Sequence, residues 1–321
     1  MMRIDAVITW VDGNDERHRQ KRYRYCPQEV LKDSDKAGDE RYANIGEIYW
    51  CVASINRFAP WINRIFIVTD EQDPGLEDFL NVNFPEGYIP FEIIDHKQIF
   101  NGYEDCLPTF NSISIETMTW RIPGLSTHYL EFNDDLMLTS PVSPDDFFTK
   151  DGKVICYGKR AILPFTRLTR LLKPKGTVTT KCSHANAASV AGCRLWYLRL
   201  DHCQKALRRD FWEEYYRSNP EVLSENIRYR FRSVRQFTTQ ALQYIMLYRR
   251  GECVVKPVGK KMFFFQPKGN HAYFIRKMIE LEAFKGKFLC LNSIEKTEPE
   301  ELEQLVRWIE GRLRINRVPH K

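Results

Sequence analysis

Four short apolar runs in the first half of this chain each end on a carboxylate, and that recurrence limits the fold more than any other feature. Ile4 to Val11 (IDAVITWV) stops at Asp12-Gly13-Asn14-Asp15, Arg64 to Thr69 at Asp70, Phe91 to Ile94 at Asp95, and Tyr129 to Phe132 at Asn133-Asp134-Asp135. Short runs rich in β-branched and aromatic residues, bounded by turn residues, read as buried strands. Between the first two, Ile48, Cys51, Val52, Ile55 and Phe58 recur at helical spacing until Pro60 closes the pattern. Strand, helix and strand make a parallel βαβ unit. The expected fold is α/β and Rossmann-like, a mainly parallel sheet flanked by helices. Ligands of such sheets sit beyond the carboxyl ends of the strands, where these carboxylates lie.

The stretch Leu107 to Leu138 carries the strongest of the four endings. Asp134 and Asp135 are flanked by hydrophobic residues on both sides, and a buried carboxylate is costly unless a cation or hydrogen-bond donors compensate it. A hard divalent ion takes one or two carboxylates and fills its shell with phosphate oxygens and water. The same residues also suit a plain turn after a strand. Asp12, after the first strand, lies in a Gly-containing turn of the kind that opens nucleotide-binding domains, without G-x-G-x-x-G spacing. His18 to Glu40, polar with Pro27 and Gly38, reads as a helix followed by an ill-ordered loop.

At 321 residues, with 43% hydrophobic content, the chain can bury a large core. The N-terminus lacks signal-peptide architecture, and no run approaches the ~18 apolar residues of a membrane span. Nine cysteines contain no C-x-x-C pair, which predicts a reduced, cytoplasmic protein without a zinc site. The net charge of +6 is uneven: Lys159, Arg160, Arg167, Arg170, Lys173, Lys175 and Lys181 lie together with no acidic residue among them. That stretch reads either as a solvated basic loop or as a surface for polyanions or anionic membranes, which leaves a peripheral seat on the inner face of the cytoplasmic membrane open.

The segments IDAVITWVDGND (4 to 15), RYANIGEIYWCVASINRFAPWINRIFIVTDEQDP (41 to 74), LPTFNSISIE, YLEFNDDLML and PDDFF (107 to 148) resemble the first two conserved regions of the Stealth family. This family comprises bacterial capsular polysaccharide phosphotransferases and the catalytic subunit of the animal N-acetylglucosamine-1-phosphotransferase. His202, in RLDHCQKALRRDFWEEYY, is similar to the histidine that opens the third region. Arg232, in RYRFRSVRQF, is similar to its arginine, with Arg230 as neighbouring candidate. Gln236 stands where relatives often carry an acidic residue, and Ser293 where an aspartate usually follows Asn292.

The resemblance implies a glycosyltransferase-A-like core and transfer of sugar-1-phosphate from a nucleoside diphosphate sugar, a UDP-sugar such as UDP-GlcNAc first among them. The acceptor is a hydroxyl of an oligosaccharide or lipid-linked glycan. A phosphodiester forms, a nucleoside monophosphate leaves, and nucleic acid is no partner. One catalytic domain over 1–321 is expected. It would comprise a nucleotide-sugar half (1–150), a helical insertion (184–250) carrying His202 and Arg232, and a strand and terminal helix (251–321) that complete the core. Asp134 and Asp135 would hold Mg²⁺ or Mn²⁺, and Arg232, with Arg41, would meet phosphate oxygens through the bidentate fork that lysine lacks. His202 or Asp12 would act as general base. Trp10, Gly13, Arg230 and Lys261 complete the implied donor and phosphate contacts.

Three residues of that motif keep two readings. Glu47 either faces the substrate or complements a helix dipole; Asn111 and Ser112 either contact sugar or phosphate or cap a helix. Farther on, Gln204 to Tyr216 and Phe237 to Arg249 read as helices with aromatic faces. Val254 to Phe265 reads as strands broken at Pro257 and Gly259, and Pro299 to Leu313 as a helix that starts acidic. Two other functions suit the same elements: a metal-dependent glycosyltransferase releasing nucleoside diphosphate, and a polyanion-binding protein built on residues 159 to 181.

Overall fold

The structure, a computed structural model, describes residues 2–26, 42–171 and 179–316, without the side chains of 169–171. Arg41, the loop expected after the first helix, Lys173, Lys175 and the side chain of Arg170 lie outside what is described.

In chain order the elements are β1 (Ile4–Thr9), α1 (Glu16–Tyr25), α2 (Glu47–Phe58), β2 (Ile65–Thr69), α3 (Leu76–Asn83), β3 (Phe91–Asp95), α4 (His96–Ile99), α5 (Ser112–Met118), β4 (His128–Asn133), β5 (Leu136–Leu138), β6 (Val154–Ile162) and α6 (Leu163–Leu171). There follow α7 (Thr180–Val190), β7 (Trp196–Leu200), β8 (Lys205–Arg208), α8 (Arg209–Ser218), α9 (Pro220–Ile227), α10 (Thr239–Arg249), β9 (Cys253–Lys256), β10 (Met262–Phe265), α11 (His271–Glu282), β11 (Phe288–Leu291) and α12 (Pro299–Leu313).

The principal sheet has the order β3-β2-β1-β4-β8, its first four strands parallel and β8 antiparallel to β4. The chain leaves β1 toward β2 and β3, then returns to place β4 on the other side of β1. That reversal opens a crevice at the carboxyl ends of β1 and β4, the switch point where open α/β sheets bind ligands. Thr9 and Asn133 are register partners there, so Trp10 and the Asp134-Asp135 turn emerge side by side.

Helix α2 has the bounds its spacing predicts, and every residue from Glu47 to Ile55 is buried. A helix apolar all round belongs inside. It packs on β5, and α12 packs on it from the other side. Arg57 of α2 donates from Nε to the Leu313 carbonyl (3.1 Å) and from Nη2 to that of Arg314 (3.2 Å), satisfying groups that the end of α12 leaves unpaired. Trp50, fully buried in α2, is the kind of side chain whose truncation to Ala costs about 3–5 kcal/mol.

Residues 184–250, read as a helical insertion, hold two strands, β7 and β8, among their helices. Lys205–Arg208, expected as the start of a helix, forms β8 instead, because the outer edge of β4 supplies partners for its backbone groups. The helix begins only at Arg209. Two smaller sheets complete the core: β10-β11-β5, and β7-β6-β9. All nine cysteines are buried, and among the described residues no helix is long and apolar enough to cross a membrane.

Candidate active site

A cavity of about 770 Å³ lies over the switch point, within the size range of small-molecule sites. Trp10, Glu47, Ser112, Asp134, Asp135, His202 and Arg232 all line it. They come from six separate parts of the chain.

Asp134 and Asp135 form the turn between β4 and β5, and β11 closes over that turn. Leu291 donates its backbone N–H to the Asp135 carbonyl (3.0 Å), and Cys290 Sγ lies 3.7 Å from Asp135 Oδ2. Asp134 Oδ1 accepts from the Asp135 N–H (3.1 Å), and Asp135 Oδ1 is buried without a hydrogen-bond partner among the described residues. Burial pushes the Asp135 carboxyl up to about 6, against the lowering effect of Asn292 and Cys290. Burial pushes Asp134 well above its ordinary value, and the charges of Glu47 and Asp135 push it further. Glu47 is raised to about 7, by burial first and then by Asp135, although its Oε2 accepts from the Ile45 N–H at 2.8 Å. Adjacent buried carboxyls, one of whose oxygens is orphaned, are the donor chemistry that a hard divalent cation takes. No three His, Cys, Asp or Glu side chains among the described residues converge in ligating geometry. Asp134 and Asp135 would therefore leave most of the shell to water and phosphate.

Across the cavity, Arg232 donates from Nη2 to Ser112 Oγ at 2.7 Å. A buried polar knot sets the Arg232 loop. Gln236 Oε1 accepts from Asn111 Nδ2 (2.8 Å) and the Ser233 N–H (2.9 Å), while its Nε2 donates to the Asn226 carbonyl (2.8 Å) and Ser114 Oγ (3.1 Å). Both kinds of bond are needed here, and an ionised carboxylate only accepts. The knot explains why an amide suits this position. Phe110 stacks on Phe231 at 5.4 Å and locks the two loops together.

His202 sits in the β7–β8 turn, its ring 5.5 Å from that of Phe264. It is exposed toward the cavity, yet desolvation by its surroundings, with the charges of Lys205 and Arg199, holds its pKa below the ordinary value against Asp201. The ring is neutral at pH 7. Lys205 spans the floor of the turn, donating to the Asp201 and Cys203 carbonyls.

Five implied contacts sit elsewhere. Asp12 is held in its own turn, where it accepts from Asn14 and exchanges bonds with Gln72 through its backbone (2.9 Å each); an acidic residue after a strand can simply close a turn. Gly13 is not among the residues that line this cavity: its N–H donates to the Tyr42 carbonyl (2.8 Å) and its role is close approach. Asn111 caps α5 and serves the buried knot. Arg230 donates to the Asp105 carbonyl and lies 5.1 Å from the Tyr25 ring. Lys261 pairs with buried Asp146 at 3.1 Å, as Lys287 does at 2.6 Å, and so belongs to the second sheet.

The cavity also holds groups that sequence reasoning did not select. Glu116 and Glu131 share Gln240 Nε2, which donates to Glu116 Oε2 at 2.9 Å and to Glu131 Oε1. Burial raises both carboxyls, and the charge of Glu116 raises Glu131 further. Glu116 closes the quoted LPTFNSISIE segment and Glu131 interrupts an apolar strand; those were the available signals. His18, Asp70 and His96 line the end nearest β2. Lys21 donates to both Asp70 oxygens (2.8 and 2.9 Å), and burial drives His18 down to about 4.

Residues 2–27 match the family model for Stealth protein CR1, conserved region 1, and residues 41–156 match that for Stealth protein CR2, conserved region 2. Over these two stretches the chain carries conserved regions of the Stealth family. Among Stealth relatives, the capsular polysaccharide phosphotransferase WcwK of Streptococcus pneumoniae is 40% identical over 152 residues, covering 47% of this chain and 43% of the relative. The exopolysaccharide phosphotransferase SCO6021 of Streptomyces coelicolor is 33% identical over 260 residues, 78% of this chain and 44% of the relative. The capsular polysaccharide phosphotransferase LcbA of Neisseria meningitidis is 29% identical over 281 residues, 84% and 71% of the two chains. This chain thus spans less than half of WcwK and SCO6021. Among solved structures, the galactosyltransferase LgtC, in complex with donor and acceptor sugar analogs, aligns with a TM-score of 0.47 at 12% identity over 98% of this chain and 97% of that one. A likeness at that level bears on neither activity nor ligand.

Proposed function

We propose that this chain transfers sugar-1-phosphate from a nucleoside diphosphate sugar to an acceptor hydroxyl, forming a phosphodiester in capsular or other cell-surface polysaccharide synthesis. The observation that carries the reading is one cavity at the switch point with paired carboxylates on one wall, Arg232 on another and a neutral imidazole, His202, at its edge. The names of the Stealth relatives, capsular and exopolysaccharide phosphotransferases, support the same class.

Phosphoryl transfer is mostly positioning and charge neutralisation. Asp134 and Asp135 would hold Mg²⁺ or Mn²⁺, which when bound neutralises diphosphate charge. Arg232, oriented by Ser112, offers a planar fork to the oxygens of the transferring phosphoryl group. His202 takes the acceptor hydroxyl proton as the acceptor oxygen bonds to the distal phosphorus. The bond from that phosphorus to the bridging oxygen breaks, and the bridging oxygen departs with the nucleoside monophosphate. The place of Asp12 outside the cavity favours His202 as base. Trp10, His18 and Asp70, at the carboxyl ends of β1 and β2 or just beyond, suit the nucleoside end of the donor.

The test is to incubate the protein with Mg²⁺, an acceptor extract and a panel of nucleotide sugars, and to identify the released nucleotide by mass spectrometry. Monophosphate release that disappears in His202→Ala supports the reading. Diphosphate release replaces it with a glycosyltransferase acting at the anomeric carbon.

A further inference from the structure

From Gly152 to Leu200 the chain carries ten lysines and arginines and not one aspartate or glutamate, in a protein whose acidic residues number 42. The described part of this segment folds into β6, α6, α7 and β7, and its outer corner is apolar. Ile162 is 68% exposed, Phe165 64%, Leu168 61% and Leu195 73%. The four come together at one place: Leu163 donates its N–H to the Leu195 carbonyl at 3.0 Å, Ile162 immediately precedes α6, and Phe165 and Leu168 are one turn apart along it. Arg167, between Phe165 and Leu168 in α6, and Lys159, three residues before Ile162 in β6, are exposed. Large exposed apolar side chains in a segment that carries cations and no anion match the chemistry of an interfacial element on an anionic membrane. An apolar patch meant for another protein would have no need of so one-sided a charge.

We propose that the β6–α6 corner is a membrane-docking surface that inserts Phe165, Leu168, Ile162 and Leu195 among the acyl chains of an anionic bilayer while the surrounding Lys and Arg side chains meet its phosphates. Helix α6 packs on α7, whose Thr180, Ser183 and His184 line the cavity. Docking there brings the cavity beside the lipid surface, where a lipid-linked acceptor would be met. That use rests on the transferase reading; the docking itself does not.

The experiment is co-sedimentation of the full chain with vesicles of phosphatidylcholine alone and of equal parts phosphatidylcholine and phosphatidylglycerol. The expected result is binding to the mixed vesicles only, falling as salt rises. Phe165→Ser with Leu168→Ser weakens it at least about tenfold, and Lys159→Glu weakens it about fivefold or more, with unchanged melting temperature. No binding to the mixed vesicles overturns the proposal. So does equal binding by the Phe165/Leu168 double variant, since adsorption by charge alone needs no apolar corner. Concentration-dependent self-association that this double variant abolishes also overturns it, by assigning the corner to a second copy. Vesicle binding together with diphosphate release keeps this inference and removes the transferase reading, so the two fail separately.

Discussion

Arg232 reaches across 120 residues of sequence to donate to Ser112 Oγ at 2.7 Å, and this bond ties the helical second half of the chain to the parallel sheet. Because a fixed guanidinium fork presents two parallel donors and an ammonium presents a point charge, Arg232→Lys keeps the charge and loses the geometry. The expected outcome is a fall in kcat for nucleotide release of about a hundredfold or more, with KM for the donor changed far less. Ser112→Ala, which frees the fork without removing it, costs less than Arg232→Lys. Steady-state kinetics on both variants decide the matter; equal, small losses would place Arg232 outside the reaction.

Asp135 keeps an orphaned oxygen in a desolvated turn, so its charge is a cost to the fold that a cation offsets. Asp135→Asn removes that cost. In EDTA the variant melts a few degrees higher than the parent, corresponding to about 1–3 kcal/mol after allowing for partial exposure. Added Mg²⁺ raises the melting temperature of the parent and leaves the variant unmoved. Scanning calorimetry with and without metal checks both halves; a variant that melts lower in EDTA would show that Asp135 is stabilising as it stands.

The elements that were legible in the sequence share one property, a local period with a local stop. Helices Glu47–Phe58 and Pro299–Leu313 have the bounds that their spacing and prolines predict, and the first four strands end within a few residues of their carboxylates. What was not legible depended on distance in the fold. Glu116 and Glu131 become a pair only because Gln240 arrives between them from α10, and Lys205–Arg208 becomes a strand only because β4 has an open edge. The same holds for the residues that lie away from the cavity. Asp12, Asn111 and Lys261 are polar groups at element ends, and sequence does not say whether such a group serves a ligand, a cap or another side chain.

A Cβ at Gly13 would meet the Tyr42 carbonyl oxygen at 2.0 Å, and the Gly13 N–H already donates to that oxygen at 2.8 Å. Gly13→Ala must push Tyr42 away and break the bond, with Tyr42 Oη anchored to the Phe110 carbonyl at 2.8 Å. Stability is expected to fall by about 1–3 kcal/mol. Donor affinity falls too, since Trp10 and Tyr42 both line the cavity. Urea unfolding and donor titration by intrinsic fluorescence measure the two effects; an unchanged urea midpoint would mean that the turn yields freely.

His184 gives the fold a pH dependence of known sign. Burial, with the charges of Lys205, His202 and Arg199, drives its pKa from 6.5 down to about 3. A depressed histidine is neutral when folded and takes up a proton when unfolded, so its contribution is fully present above about pH 6.5 and is lost as pH falls toward 3. Between pH 6.5 and 4.5 the loss is about 2–3 kcal/mol. Glu116 and Glu131, raised by burial, act in the opposite direction over the acid range and mask the effect in the parent protein alone. Comparison with His184→Gln removes them from the difference. The urea midpoint of the parent should fall more than that of the variant on going from pH 7 to pH 4.5, and parallel falls would mean that His184 is protonated in the folded state at the lower pH.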